Sequence, residues 1–364
     1  MSRINNASKL CVAVIAMMIV LSSLQSPVSA QIGNLDPIVV MYDASHNPQF
    51  SGTDANGGLK LMLDMVNDST RYIVRINEET LNETILNDVD ILIFASPDRT
   101  AEFELNESLA INAMMENGSS LLILGDPSID QNSTYWSDQT FQDLGENVAI
   151  NTLLDSLNVT GPRFSLNYTE DNERAWGDSM FDYEESLNST YLAIIEFDST
   201  TWDTTHPIFD DINTILTMTA TITPINHESS IATGYESSFA QWRRGPNTFA
   251  NVTYPNMTLA DYAEAPLSYS AINGTFPTWL SAFEFNQSKI AMVGSTIMFT
   301  GRVLDMPESE NVWFYQADNS RLFMNLMNWL SEGFTESPSA INEMVIISSV
   351  ILIVGVAFYL VKKK

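Results

Sequence analysis

The sequence predicts an α/β chain: a flavodoxin-like layered domain with a mostly parallel sheet, an irregular β-containing second half, and one C-terminal transmembrane helix. Three observations predict it. Short apolar, β-branched runs alternate with segments of helical period over residues 37–158, and strands separated by helices imply parallel crossovers. Those runs are apolar throughout instead of alternating, as strands covered on both faces are. Residues 344–361 form an uncharged apolar run of 18 residues. At ~1.5 Å per residue such a run spans about 27 Å, close to a bilayer core of about 30 Å.

The elements follow in order. "PIVVMYD" (37–43) reads as a buried strand. "GGLKLMLDMVND" reads as a helix, with Leu59, Met62, Leu63 and Val66 at spacings of three and four. "YIVRI" (72–76) is a second strand, "EETLNETILNDV" a short helical segment, and "DILIFASP" (90–97) a third strand. "NESLAINAMMENG" is a helix with Asn106 available as its cap and Gly118 as its stop. "SLLILGD" is a fourth strand, and "NVAINTLLDSL" (147–157) a helix whose Val148, Ile150, Leu153, Leu154 and Leu157 share a face. Residues 160–190 are polar and read as a surface excursion. "YLAIIEF" and "TILTMTATITPI" read as strands, and residues 225–280 as loops with a few short strands. "WLSAFEF" and "KIAMVGSTIMF", joined through Asn286-Gln287-Ser288, suggest a hairpin. "NSRLFMNLMNWLSEG" (319–333) is a helix with Leu322, Phe323, Leu326 and Leu330 in register.

The two ends set the expected location. Residues 1–30 carry Arg3 and Lys9, then "LCVAVIAMMIVL", then "SPVSAQ", the layout of a secretory signal cleaved after Ala30. An uncleaved anchor is the alternative. Lys362–Lys364 close the chain, and positive charge stays cytoplasmic. The expected organisation is a signal peptide (1–30), an extracytoplasmic domain (31–333, regular over 37–158 and irregular over 159–333), a linker (334–343), a single-pass helix (344–361) and a basic cytoplasmic tail (362–364). The chain would sit in the cell membrane or a secretory-pathway membrane.

Charge and composition exclude several classes. The chain has 45 acidic and 16 basic residues, a formal charge of −29. Between the two ends only Lys60 and Lys289 are lysines. Such a surface repels phosphate backbones, so nucleic acid is excluded as a partner. The one cysteine, Cys11, lies in the expected signal. The mature chain would have no disulfide, thiolate ligand or thiol nucleophile, and would rely on its core. Twelve Asn-x-Ser/Thr sequons follow residue 30: Asn67, Asn82, Asn106, Asn117, Asn132, Asn158, Asn167, Asn188, Asn251, Asn256, Asn273 and Asn286. With a secreted topology they are glycosylation candidates.

"DVDILIFASPD", "ENGSSLLILGD", "INTLLDSLNVT", "HPIFDDI" and "KIAMVGSTIMF…NSRLFMNLMNWL" occur in that order. The order resembles class I glutamine amidotransferase-like domains, and within them the non-catalytic GIFT-type branch. The layout is similar to that of the single-pass accessory subunit of oligosaccharyltransferase. The resemblance covers residues 37–332 and rests on segment order. It implies a non-catalytic binding or scaffold role, and specifically an accessory place among the membrane-protein subunits of a glycosylation complex. That subunit family has a further β-rich domain before the membrane. Here the linker begins after Gly333.

Active members of the superfamily use a cysteine at a strand-to-helix turn, activated by a histidine, with backbone N–H groups facing the oxyanion. In this sequence the turn falls on Gly125 or Asp126. Asp126 is a candidate nucleophile or base, set against the common use of Asp before Pro127 as a turn residue. His46 and His206 are candidate bases. His206, in "THPIFDD", is equally a turn residue. No histidine lies two or four residues from another, so no local metal signature exists and no metal or cofactor is expected. A parallel sheet would bring Tyr42, Asp43, His46, Ser96, Asp98, Gly125 and Asp126 together at its carboxyl edge, where α/β sheets bind ligands. Arg243 and Arg244 in "QWRRGP" could grip an anion, or form an ordinary loop ion pair. Two further readings stand beside the scaffold: a hydrolase of surface carbohydrate or peptide using Asp126 with His46 or His206, and a ligand-binding surface protein that serves a transporter.

Overall fold

The computed structural model describes residues 37–129, 133, 135, 138, 141, 144–168, 175–187, 192–223, 227–242, 267–270, 274–306, 308–332 and 334. The expected signal peptide, the linker apart from Phe334, the apolar run 344–361 and the basic tail lie outside the described residues, as do Arg243 and Arg244.

The first strand, β1 (Ile38–Asp43), is buried at all six positions. Successive side chains in a strand point to opposite faces. Ile38, Val40 and Tyr42 enter one apolar cluster, and Val39 and Met41 enter the other. That two-sided burial is why the run shows no alternation. Helix α1 (Lys60–Asn67) buries Met62, Leu63 and Val66. Strand β2 (Tyr72–Asn77), the short helix α2 (Glu83–Leu86) and strand β3 (Ile91–Ala95) follow. Helix α3 (Leu105–Glu116) is entered through a capping box built on Glu104 and Glu107, not through Asn106. The Glu104 N–H donates to Glu107 Oε2 at 2.9 Å. It stops at Gly118, whose φ of +94° suits glycine. Strand β4 (Ser120–Leu124) is buried throughout, and helix α4 (Val148–Ser156) buries Ala149, Ile150, Leu153 and Leu154.

The second half is strand-rich: β5 (Arg163–Phe164), β6 (Leu166–Tyr168), β7 (Ala175–Phe181), β8 (Ile195–Asp198), β9 (Thr214–Thr217), β10 (Ile222–Thr223), β11 (Ser230–Thr233), β12 (Phe239–Trp242), β13 (Leu267–Ser270), β14 (Thr278–Phe285) and β15 (Ser288–Val293). Helix α5 (Asn319–Leu330) completes the described part and buries Leu322, Phe323, Leu326 and Leu330. The main sheet has nine strands in the order β2-β1-β3-β4-β15-β14-β10-β5, with β11 on β14. A four-stranded sheet (β13-β12-β7-β6) and a two-stranded one (β8-β9) accompany it.

Two expectations about the fold class are corrected. The fold is mixed α/β, and the main sheet is not mostly parallel. The pairs among β2, β1, β3, β4 and β15 are parallel, whereas β14, β10, β5 and β11 join antiparallel. The cause is the tight turn at Asn286 (φ +56°) between β14 and β15. A two-residue hairpin reverses the chain, while a parallel pair needs a long crossover. The second correction concerns the membrane helix. Among the described residues no helix is long and apolar enough to cross a membrane, so the expected C-terminal span is not supported.

Candidate functional site

Parallel pairing of β1, β3, β4 and β15 places their carboxyl ends on one edge, where the chain turns at Asp43, Ser96, Gly125 and Gly294. Of the residues expected there, Tyr42, Asp43, His46, Ser96, Gly125 and Asp126 are on this edge. Ser96 takes a left-handed φ of +45° as it leaves β3. Its N–H donates to the Leu124 carbonyl at 2.9 Å, and its hydroxyl lies 2.7 Å from that of Thr296. Asp98 holds the loop. Its N–H donates to the His46 carbonyl, and its Oδ1 accepts from the Thr100 N–H at 2.8 Å.

The turn after β4 has the position of a nucleophile elbow without its free parts. A Cβ at Gly125 would lie 2.6 Å from two ring carbons of Phe164 and 3.1 Å from Asn147 Oδ1. A Phe ring cannot swing aside like the end of a flexible chain, so no side chain fits there. The backbone donors are also consumed. The Gly125 N–H donates to the Val293 carbonyl at 2.9 Å, and the Ser128 N–H to the Asp178 carbonyl at 3.0 Å. The Asp126 N–H donates to Asn147 Oδ1 at 3.1 Å. Pro127 has no N–H. An oxyanion hole needs donors aimed at the reacting oxygen, and this turn offers none. Asn147 returns the contact, donating from Nδ2 to the Asp126 carbonyl at 3.1 Å.

Asp126 is 1 % exposed. Its Oδ1 accepts from the Thr296 N–H at 3.2 Å, while Oδ2 has no hydrogen-bond partner. Burial pushes its pKa well above the usual carboxylate value, against the N–H groups of Thr296 and Ile297 and the Thr296 hydroxyl. Burial therefore disfavours the charged carboxylate, which makes the side chain a poor nucleophile. It reaches a pocket also lined by Gln49, Ser96, Arg99 and Glu146. Its cavity volume is about 10 Å³, the size of a single water.

His46 is held in a second buried group on the same edge. Its Nδ1 lies 2.6 Å from Asp43 Oδ2 and its Nε2 3.5 Å from Glu107 Oε1. Its ring stacks on Phe103 with centroids 3.9 Å apart. Asp43 also accepts from Ser45, and Glu107 from the Leu81 N–H. Burial alone would lower the imidazole pKa, but Asp43 and then Glu107 outweigh it and the net shift is upward. Both ring nitrogens face carboxylates, which leaves His46 no free nitrogen to serve as a base. Although Asp43, His46 and Glu107 are all metal-ligand types, no group of three such residues among the described ones is arranged to hold an ion. Tyr42 lies beneath, donating its hydroxyl to the Phe50 carbonyl at 2.5 Å. Burial, then Asp43 and Asp126, push its pKa up.

His206 is elsewhere. Its Nδ1 accepts from the Ile208 N–H at 3.3 Å and caps a short 3-10 turn. Its ring lies against Trp329, and the adjoining Leu330 carbonyl accepts from Ser120, the first residue of β4. Burial lowers its pKa. It belongs to the strand-start edge, a strand length away from Asp126: five residues of β4 at ~3.3 Å each make about 17 Å. Asp126 and His206 cannot form a catalytic pair. Sequence reasoning missed Glu107, Phe103, Asn147, Phe164 and Thr296. Their contacts with the site span long stretches of chain, and only the Glu104/Glu107 capping pattern left a local sign.

Of the sequon asparagines, Asn67, Asn82, Asn106, Asn117, Asn158 and Asn286 are exposed and Asn167 is half-buried. Asn132, Asn188, Asn251, Asn256 and Asn273 lie outside the described residues. A wider depression of about 490 Å³, lined by Glu196, Leu216, Leu304, Met306, Asn311 and Gln316 among others, includes none of the residues singled out from the sequence.

No protein-family model matches the chain, and no curated protein matches it. Among solved structures the chain is similar to the N-terminal domain of mmIFT52, with 14% identity and a TM-score of 0.49 over 82% of this chain and 100% of that one. It is similar to a ThuA-like protein from Bacteroides uniformis, with 12% identity and a TM-score of 0.36 over 82% and 92%. It is also similar to a GMP synthase-type protein from Thermoplasma acidophilum, with 8% identity and a TM-score of 0.30 over 81% and 94%.

Proposed function

We propose that this chain is a binding or scaffold module of amidotransferase-like fold that works outside the cytoplasm and carries out no amidotransferase chemistry. One observation supports the reading above all: at the Gly125–Asp126 turn the side-chain space is filled by Phe164 and the N–H groups are already bonded. A strand-end edge with its donors satisfied is suited to recognition by surface. The finer form, membership of the GIFT-type branch and an accessory place among the subunits of a membrane glycosylation complex, comes from the order of segments in the sequence. A hydrolase using Asp126 is disfavoured by the burial of its carboxyl, which works against the charged form.

The test has two arms. Full-length protein purified from its own cells in mild detergent is expected to bring with it a catalytic glycosyltransferase subunit; recovery of the chain alone would sink the glycosylation-complex role. Purified protein is expected to release no ammonia from glutamine and to cleave no glycan or peptide in a surface-substrate panel. Turnover that Asp126→Asn abolishes would overturn the non-catalytic reading.

A further inference from the structure

We propose that the strand-start edge of the main sheet is a glycan-bearing face, with N-linked sugars on Asn67, Asn117 and Asn286. The inference rests on the extracytoplasmic placement proposed above and goes beyond it by assigning a face. Asn67 ends α1, and its Oδ1 accepts from the N–H of Val74 in β2 at 3.1 Å. Asn117 is the C-cap of α3, where the chain turns into the start of β4. Asn286 sits in the turn that opens β15, beside the start of β4, since Ile290 pairs with Leu121. Asn117 and Asn286 are neighbours across that edge. The Ser288 hydroxyl donates to the Met115 carbonyl at 2.8 Å, and a Cβ on Gly118 would lie 3.8 Å from the Gln287 carbonyl. All three asparagines are exposed. The side chains of Asn117 and Asn286 make no hydrogen bond to another described residue, so their amide nitrogens are open to substitution.

Timing follows from the other half of each sequon. The acceptor motif requires the hydroxyl two residues on. Ser288 is 1 % exposed and bonded to Met115, and Ser119 donates to the Val89 carbonyl from a buried position. In the folded chain those two hydroxyls are out of reach of an enzyme. Asn117 and Asn286 are therefore modified before β15 pairs with β4. The sugars then keep this edge in water and direct protein partners to the opposite, strand-end edge.

Glycopeptide mapping by mass spectrometry of the full-length protein from its own cells tests this. The peptides holding Asn67, Asn117 and Asn286 are expected to carry glycan mass. Asn117→Gln with Asn286→Gln should remove two glycans from the intact mass without changing the circular dichroism spectrum. Unmodified asparagines at Asn117 and Asn286 overturn the proposal. Protease treatment of sealed, cytoplasmic-side-out membrane vesicles separates the two ways to fail. If the unmodified chain is protected until detergent is added, only the glycan assignment falls; if it is digested without detergent, the extracytoplasmic placement falls as well.

Discussion

At the scale of single residues, the two buried groups on the strand-end edge make opposite use of charge. Asp126 is a carboxyl without a cation, so folding favours its neutral form. Its folded pKa is raised, so the folded chain binds more protons than the unfolded one above the ordinary carboxylate value of about 3.9. Stability therefore falls as pH rises from there towards the folded pKa, by about 1.4 kcal/mol per pH unit while the proton is retained. Asp126→Asn removes that loss. The variant is expected to match the parent in acid and to exceed its melting temperature at pH 7, read by calorimetry across pH; equal melting curves at pH 7 would contradict an upward shift at Asp126. His46 is an imidazole between two carboxylates, and folding favours its charged form. Its contribution is fully present below the unfolded value of about 6.5 and is lost as pH rises through the raised folded pKa. His46→Gln leaves Asp43 and Glu107 buried without their cation and is expected to cost about 3 kcal/mol near pH 6. Urea unfolding should show that difference shrinking as pH rises above 7.

At the scale of elements, one buried polar side chain among apolar ones anchors the start of α5. Asn319 donates from Nδ2 to the carbonyls of Leu216, Trp313 and Met298 and accepts from the Leu216 N–H at 3.2 Å. It is fully buried. Asn319→Ala would orphan these groups at about 1–3 kcal/mol each for the worst placed. The expected loss of about 3 kcal/mol or more, from chemical unfolding, should be matched by faster hydrogen exchange at Leu216. Much of this element scale was legible in the sequence. β1, β3 and β4 were plain because strands buried on both faces are unbroken apolar runs, and α5 because its apolar residues recur with helical period. The four-stranded sheet β13-β12-β7-β6 was not legible, since β6, β12 and β13 have four residues or fewer, β7 carries Gly177, Asp178 and Ser179 at its middle, and the strands are drawn from stretches far apart in sequence. The hairpin expected at Asn286-Gln287-Ser288 is present, and the expectation of a mostly parallel sheet failed there, because β14 and then β10 and β11 join the main sheet antiparallel through it. The site was legible in position and not in state. Gly125 and Asp126 mark a strand end in any reading, but only packing brings Phe164 and Asn147 into the turn and puts His206 on the other edge.

At the scale of the whole molecule, the formal charge of −29 governs how stability responds to the medium. Self-repulsion of like charge weakens a compact state. Among the described residues the compensating ion pairs include Lys60–Asp64, Arg75–Asp88, Arg163–Asp155 and Lys289–Glu332, each with at least one exposed partner. Exposed pairs of that kind are each worth about 0–1 kcal/mol. Salt weakens both terms, since the screening length falls from about 10 Å at 0.1 M to about 3 Å at 1 M. The repulsion sums over 45 acidic residues at long range, while 16 basic residues limit the attraction, so screening relieves more than it removes. The melting temperature is therefore expected to rise with sodium chloride. The rise should be larger at pH 8, where the exposed carboxylates are ionised, than at pH 4, where protonation has already removed part of the repulsion. Differential scanning calorimetry over a salt series at the two pH values checks both signs. A melting temperature that falls with salt at pH 8 would mean that the surface ion pairs, and not the excess of acid, set the electrostatic balance of this fold.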